Sequence, residues 1–537
     1  MICIMQKESF EIRWTKARQL EASGDVPAAI ETYEAILKDE PNRLYARLRV
    51  STLLQMQDKY RRARQHAVDA VESVRHSRWN DLPYVTSKLL TFDEQQLLLE
   101  VIRGADWKHR DVITASPMLV QHLWLAGSVD EAVRLAETAL QVAPSHLQLN
   151  YAYGIALGYA GRLDEAAAAF EKCLVIDPGY AAAHWSLAYT RKRAGTEVDR
   201  ASRIEAASRR EEKAQEKPFL HYAAFKELHD ASQYDAAWAH LAEGARIKRG
   251  SLDYDALREA ELAEWLLGRH GKEPVNDMGN KDLEAVFIVG MPRTGTTVLD
   301  RMLGNHPALI SAGELSDFRS ALNHVLDGFI GAVPSMASLR RLQQSDLSEA
   351  GHHYLAKTRW RANAPHEVVV DKHPENFFLS ALIMDAIPSA RILCMRRNPM
   401  DACFSNLKEL FANQSYGYSY DLIELADHYD RFYRLSCHWA ATRPSQFMLV
   451  DYEDLVSDPD AEARRVFGFL GLQYRSEYAD ITRNNSAVTT ASASQVREPL
   501  SMRNIGAWKP YAEHLVPLKD RLRSVMLESW STKDCAR

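Results

Sequence analysis

A self-similarity of 34 residues runs through the first half of the chain and limits what it can fold into. The segment "LAGSVDEAVRLAETALQVAPSH" begins at Leu125, and "YAGRLDEAAAAFEKCLVIDPGY" begins at Tyr159. Gly127 maps onto Gly161, Ala132 onto Ala166 and Pro144 onto Pro178. Earlier, "SGDVPAAIETYEAILKDEPN" places Gly24 seventeen residues before Pro41, the interval that also separates Gly127 from Pro144. Ala63 lies 34 residues after Ala29, and a weaker copy, "ASQYDAAWAHLAEGARIKRG", starts at Ala231. Alanines let two helices approach closely, glycine turns the chain, and proline ends the second helix. One such pair cannot bury its apolar face, but a stack of pairs can. The repeats are therefore expected to form a core of their own.

These units resemble the tetratricopeptide repeat, which implies an α-solenoid over about residues 1–267. A charge-rich stretch, Glu197 to Pro218, reads as an exposed helix with a solvated face. Glycine, proline and polar residues over 268–282 read as a linker to a second domain, 283–537. The 537 residues exceed one ordinary core. A net charge of −6 gives no general attraction to nucleic acid or a membrane surface. The six cysteines form no CxxC pair and sit beside no histidine cluster, so neither a zinc site nor a disulfide framework is expected. No signal peptide or bilayer-length apolar run is visible, and the expected location is cytoplasmic.

Beyond the linker, β-rich runs alternate with helical stretches: Ala285–Gly290, Glu367–Lys372, Ala390–Arg397 and Gln446–Leu455. Such alternation predicts a three-layer α/β domain with a central parallel sheet, whose ligands bind outside the carboxyl ends of the strands. The first run enters "GMPRTGTT", in which Gly290 and Gly295 have phosphate-loop spacing before a helix. Backbone N–H groups and a helix N-terminus there suit an anion. The lysine that a nucleotide triphosphatase would carry is replaced by Thr296, with Thr297 next, while Arg293 sits inside the loop. The second run ends at Lys372 in "DKHPENF", the third at Arg397 in "RNPMDACFS", with Ser405 on the next helix, and the fourth reaches Tyr452 in "YEDL". Asp371 is the one candidate for a magnesium-binding acid, and the missing loop lysine argues against that role. Three cations and an aromatic at one rim describe a pocket for a multiply charged nucleotide.

"PRTGTT" resembles the 5′-phosphosulfate loop of the sulfotransferases, and "RNPMDACFS" is similar to their 3′-phosphate motif. "PRTGTTVLDRMLGNHPALISAGE", "DKHPENF" and "SASQVREP" most resemble the branch that includes the tyrosylprotein sulfotransferases. The resemblance implies 3′-phosphoadenosine 5′-phosphosulfate (PAPS) as donor and no metal. Pro292, Arg293, Thr294, Gly295, Thr296 and Thr297 would hold the 5′ end, Arg397 and Ser405 the 3′-phosphate, and Tyr452 the adenine. Ser492, Arg503 and Lys509 match donor contacts of the carboxyl-terminal region, although the family's RKG triplet is absent. Glu314 would be the catalytic base, with Lys372 and Arg293 completing the catalytic set. His373 is the alternative base and His306 reads as structural. The acceptor is open among peptide tyrosine, sugar, lipid and small metabolite, and peptide binding by tetratricopeptide grooves favours a protein by analogy. Two other readings are a P-loop kinase or triphosphatase, and a repeat scaffold bearing an inactive nucleotide domain.

Overall fold

A computed structural model describes residues 9–75, 77–190, 200–211, 213–268, 283–484 and 499–523. The first half is entirely helical, built from antiparallel pairs that stack on their neighbours, such as Phe10–Ala22 with Val26–Asp39 and Leu147–Ala160 with Leu163–Ile176. The turns explain both the visible and the hidden repeats. Gly24, Asp58, Asp93, Gly127 and Gly161 all take left-handed φ, between 56° and 83°, and lie 34 or 35 residues apart. Aspartate tolerates this conformation better than most side chains. Two repeats therefore keep the turn while losing the glycine that marks it in the sequence. The charge-rich stretch does form a helix, Arg200–Arg210, but Arg200 is buried and ion-paired with Glu227 at 3.2 Å.

The second half holds a five-stranded, all-parallel sheet in the order β2-β3-β1-β4-β5. Its strands are β1 Ala285–Gly290, β2 Leu309–Ser311, β3 Val368–Lys372, β4 Arg391–Arg396 and β5 Phe447–Asp451. β2 is a finding beyond the four expected strands, and its three residues are too few to show a pattern. The fourth run ends earlier than expected, because Tyr452–Ser457 is helical. Along β1 the side chains alternate between two cores. Phe287 and Val289 pack with Phe318 and Tyr354, whereas Val286 and Ile288 pack with Leu299 and Met302.

Repeats up to Leu187 have cores without the sheet, as expected. The last helices of the first half do not. Tyr222, Phe225, Leu241, Leu262 and Leu266 belong to the same core as Phe287, Phe404 and Tyr511. Polar contacts cross the same seam: Tyr222 Oη donates to the Leu407 carbonyl at 2.9 Å, and Arg249 pairs with Glu424 at 2.6 Å. Of the expected linker, 268–282, all but Gly268 lies outside the described residues. Cys173, Cys394 and Cys403 are buried free thiols, and Cys437 is disulfide-bonded. Among the described residues no helix is long and apolar enough to cross a membrane.

Candidate active site

The loop after β1 curls because Arg293 and Gly295 both have left-handed φ, 65° and 105°. Gly295 is required for a second reason: a Cβ there would lie 2.6 Å from the Tyr452 ring. Tyr452, the first residue after β5, thus packs directly on the loop. Thr294 serves the loop itself, its Oγ1 donating to the Met291 carbonyl at 2.7 Å, and Pro292 O accepts from Asn406 Nδ2 at 2.8 Å. Thr296 is buried in the first turn of the helix Thr296–Leu303.

Arg397 follows β4, where Asn398 caps the helix Pro399–Leu407 by accepting from Met400 N at 3.1 Å. Its guanidinium carbon lies 4.7 Å from the Tyr452 ring centroid. Nη1 donates to the Arg293 carbonyl at 3.2 Å, and Nη2 donates to the Asn504 carbonyl at 2.5 Å. Nε is buried without a hydrogen-bond partner. The neighbouring Arg396 has a different task, a buried two-pronged pair with Asp451 at 2.9 and 3.1 Å that ties β4 to β5. Only 6% of Arg397 and 5% of Ser405 are exposed, so neither is a surface group.

One cleft is lined by Arg293, Gly295, Thr297, Arg397, Ser405, Tyr452 and Arg503. Pro292, Thr294, Thr296 and Lys509 are not among its lining residues. The Lys509 chain instead lies over Gly506, whose N–H donates to Asp401 Oδ2 at 2.7 Å. Ser492 lies outside the described residues. The cleft also contains Lys408, which lies just outside the sequence motif that ends at Ser405. It stands three residues after Ser405, one helical turn on, and that spacing is the signal that could have found it. Burial, with Arg293 and Arg397 nearby, lowers the Lys408 pKa to about 8. Burial also lowers the Arg397 pKa. Cations held this way favour an anion between them.

The second cluster sits where β2 and β3 end. Ala312 N donates to the Val370 carbonyl and Lys372 N to the Gly313 carbonyl, each at 2.9 Å. These bonds extend the pairing past β2 and turn Glu314 toward β3. Lys372 Nζ donates to Glu314 Oε1 at 2.6 Å. The lysine side chain is 2% exposed and that of the glutamate 38%. Burial alone would raise the Glu314 pKa, but the charges of Lys372 and His373, and the Lys372 hydrogen bond, hold it below the ordinary value. Register places Lys372 beside Ile288 of β1, two residues before Gly290 where the loop begins.

His373 is anchored by a 2.9 Å hydrogen bond between Nδ1 and the Leu315 carbonyl. His306 is structural, as expected: Nδ1 accepts from Ala308 N at 3.1 Å and the ring packs on Tyr478. Asp371 is fully buried and accepts from Leu315 N, Tyr354 Oη and Asn376 Nδ2. Burial raises its pKa well above the carboxylate range. Such a group supports the loop rather than a metal.

Residues 285–476 match the model described as the sulfotransferase family. A protein of uncharacterised function from Aquifex aeolicus (strain VF5) is 25% identical over 56% of this chain, and the match spans 41% of that protein's length. A candidate protein-tyrosine sulfotransferase of Caenorhabditis briggsae is 22% identical over 42% of this chain and 80% of its own. Among solved structures, the sulfotransferase domain of the Synechococcus PCC 7002 olefin synthase is 17% identical, covering 45% of this chain and 98% of that one, with a TM-score of 0.27. The half of the chain that holds both residue clusters therefore carries a domain of the sulfotransferase family.

Proposed function

We propose that this chain is a PAPS-dependent sulfotransferase acting on a hydroxyl acceptor, with a peptide tyrosine as the first candidate. The observation that carries the reading is the 2.6 Å Lys372–Glu314 pair at the strand ends. Glu314 takes the acceptor's proton as its oxygen attacks sulfur. The sulfur–oxygen bond to the 5′-phosphate breaks, and Lys372 stabilises the charge on the departing oxygen, together with Arg293. The products are a sulfate ester, adenosine 3′,5′-bisphosphate and a proton on Glu314. Arg397 and Ser405 receive the 3′-phosphate. The partnerless buried Nε of Arg397 supports an anion there, and Tyr452, already packed against the loop, suits the adenine. The likeness to the Caenorhabditis briggsae protein favours tyrosine, and the solenoid favours delivery of an extended peptide. The absence of a loop lysine weighs against a kinase or triphosphatase.

Calorimetric titration of adenosine 3′,5′-bisphosphate tests the donor site. Arg397→Ala should lose about 1.5–3 kcal/mol, the range for hydrogen bonds to charged groups. ATP should bind much more weakly than the bisphosphate. Lys408 adds a pH signature. Its protonated form attracts the anion, so affinity should be full below pH 8 and fall about tenfold per pH unit above it, by proton linkage. Lys408→Arg should flatten that slope. Unchanged affinity in Arg397→Ala, or equal binding of ATP, would overturn the assignment.

A further inference from the structure

We infer that His324, Glu349 and His353 form a binding site for one divalent transition-metal ion of the zinc class, at the seam between the repeats and the sulfotransferase half. Glu349 and His353 lie four residues apart on the helix Leu347–Thr358, and His324 comes from the last turn of the helix Asp317–Leu326. One ligand atom from each lies within 4.8 Å of the other two. His353 Nε2 stands 3.8 Å from Glu349 Oε1, and the two imidazole centroids are 4.1 Å apart. Tetrahedral zinc with bonds of about 2.1 Å needs ligand atoms about 3.4 Å apart, which rotation of these side chains can reach. Two imidazoles and a carboxylate suit zinc-like ions rather than magnesium or calcium, which prefer oxygen.

Two cations of the repeats, Arg61 and Arg64, stand near His324. Arg64 is itself neutralised by Glu94 at 2.8 Å. Both histidines line a cavity of about 360 Å³ shared with Tyr60, Asp93 and Glu94 of the repeats.

A bound ion would fasten together two helices with separate duties. Asp317–Leu326 begins three residues after Glu314. Leu347–Thr358 carries Lys357, whose Nζ donates to Glu94 Oε1 at 3.1 Å and to the Phe92 carbonyl at 2.8 Å. The site is distinct from the proposed reaction, which uses no metal.

The full-length chain, stripped with a chelator, should be titrated with Zn²⁺ against a chromogenic competitor. Wild type should bind one tight equivalent. His324→Ala/His353→Ala should weaken that binding by at least about 100-fold. Glu349→Gln changes an exposed side chain that folding does not need, and should weaken it by about tenfold or more. His352→Ala, an exposed neighbour outside the cluster, should bind as wild type does. Absence of a tight equivalent in wild type, or wild-type affinity in either the Glu349 or the double variant, would overturn the inference.

Discussion

Glu314→Gln is expected to lower kcat by about 10²–10⁴, the usual span for general acid–base catalysis, with bisphosphate affinity within about twofold of wild type. Glutamine keeps the shape and can still accept from Lys372, so the fold and the donor cleft remain. What is lost is the proton acceptor. Lys372→Ala should also be slow, with some donor affinity lost, because it removes charge stabilisation from the leaving oxygen. His373→Ala should have the smaller effect, because the proton goes to Glu314, and His373 Nδ1 donates to the Leu315 carbonyl as a loop anchor. The pH profile separates the two bases. Lys372 and His373 hold the Glu314 carboxyl below its ordinary value, so the acid limb of kcat should fall below about pH 4.3, the ordinary value for glutamate. An imidazole base would place that limb near pH 6.5. A near-normal rate in Glu314→Gln with a dead His373→Ala would transfer the base to histidine.

Glu314 shows how far the sequence could be read. The strand-end cations, Arg397 and Lys372, were legible because a parallel sheet delivers its useful groups where its apolar runs stop. The mechanism that aims Glu314 was not. It depends on β2, a strand of three residues, and on two backbone bonds from β3. Lys408 was hidden for another reason, since its identity as a buried cation depends on the depth of the helix after Arg397. The repeat turns at Asp58 and Asp93 were invisible because aspartate holds the left-handed conformation without announcing it. The shared core of the last helices was equally unreadable, because an apolar helix face does not name its partner.

Glu259→Ala is expected to cost about 3–5 kcal/mol of stability, the range for breaking a buried ion pair by removing one partner. Glu259 lies on the helix Ala256–Leu267 and is 1% exposed. Its Oε1 accepts from His428 Nδ1 at 2.8 Å and from Arg431 Nε at 2.9 Å, and Tyr254 Oη donates to Oε2 at 3.1 Å. The variant would leave Arg431, whose side chain is 11% exposed, beside an empty volume and without its carboxylate partner. Burial would raise the Glu259 pKa, but His428 and Arg431 outweigh it and hold it at about 2. A depressed carboxylate stabilises the fold fully above its unfolded value, about 4.3, and that stability is lost as pH falls toward 2. Urea denaturation at pH 7 and pH 3 should show wild type losing stability with acid and the variant losing less. For the same structural reason, a chain starting at Leu283 should fail to fold, because it strips Tyr222, Leu241 and Leu262 from the sheet's core. A soluble, nucleotide-binding fragment would show that the halves are independent.

The most direct measurement is transfer of radioactive sulfur from PAPS to an acceptor by the full-length chain. Tyrosine peptides and a fractionated lysate would be offered in parallel. The label should move to a hydroxyl-bearing acceptor with one adenosine 3′,5′-bisphosphate released per transfer, and Glu314→Gln should transfer almost none in the same time. If the nucleotide binds tightly but no label leaves PAPS with any acceptor fraction, the domain is an inactive nucleotide binder on a repeat scaffold, and the account is wrong.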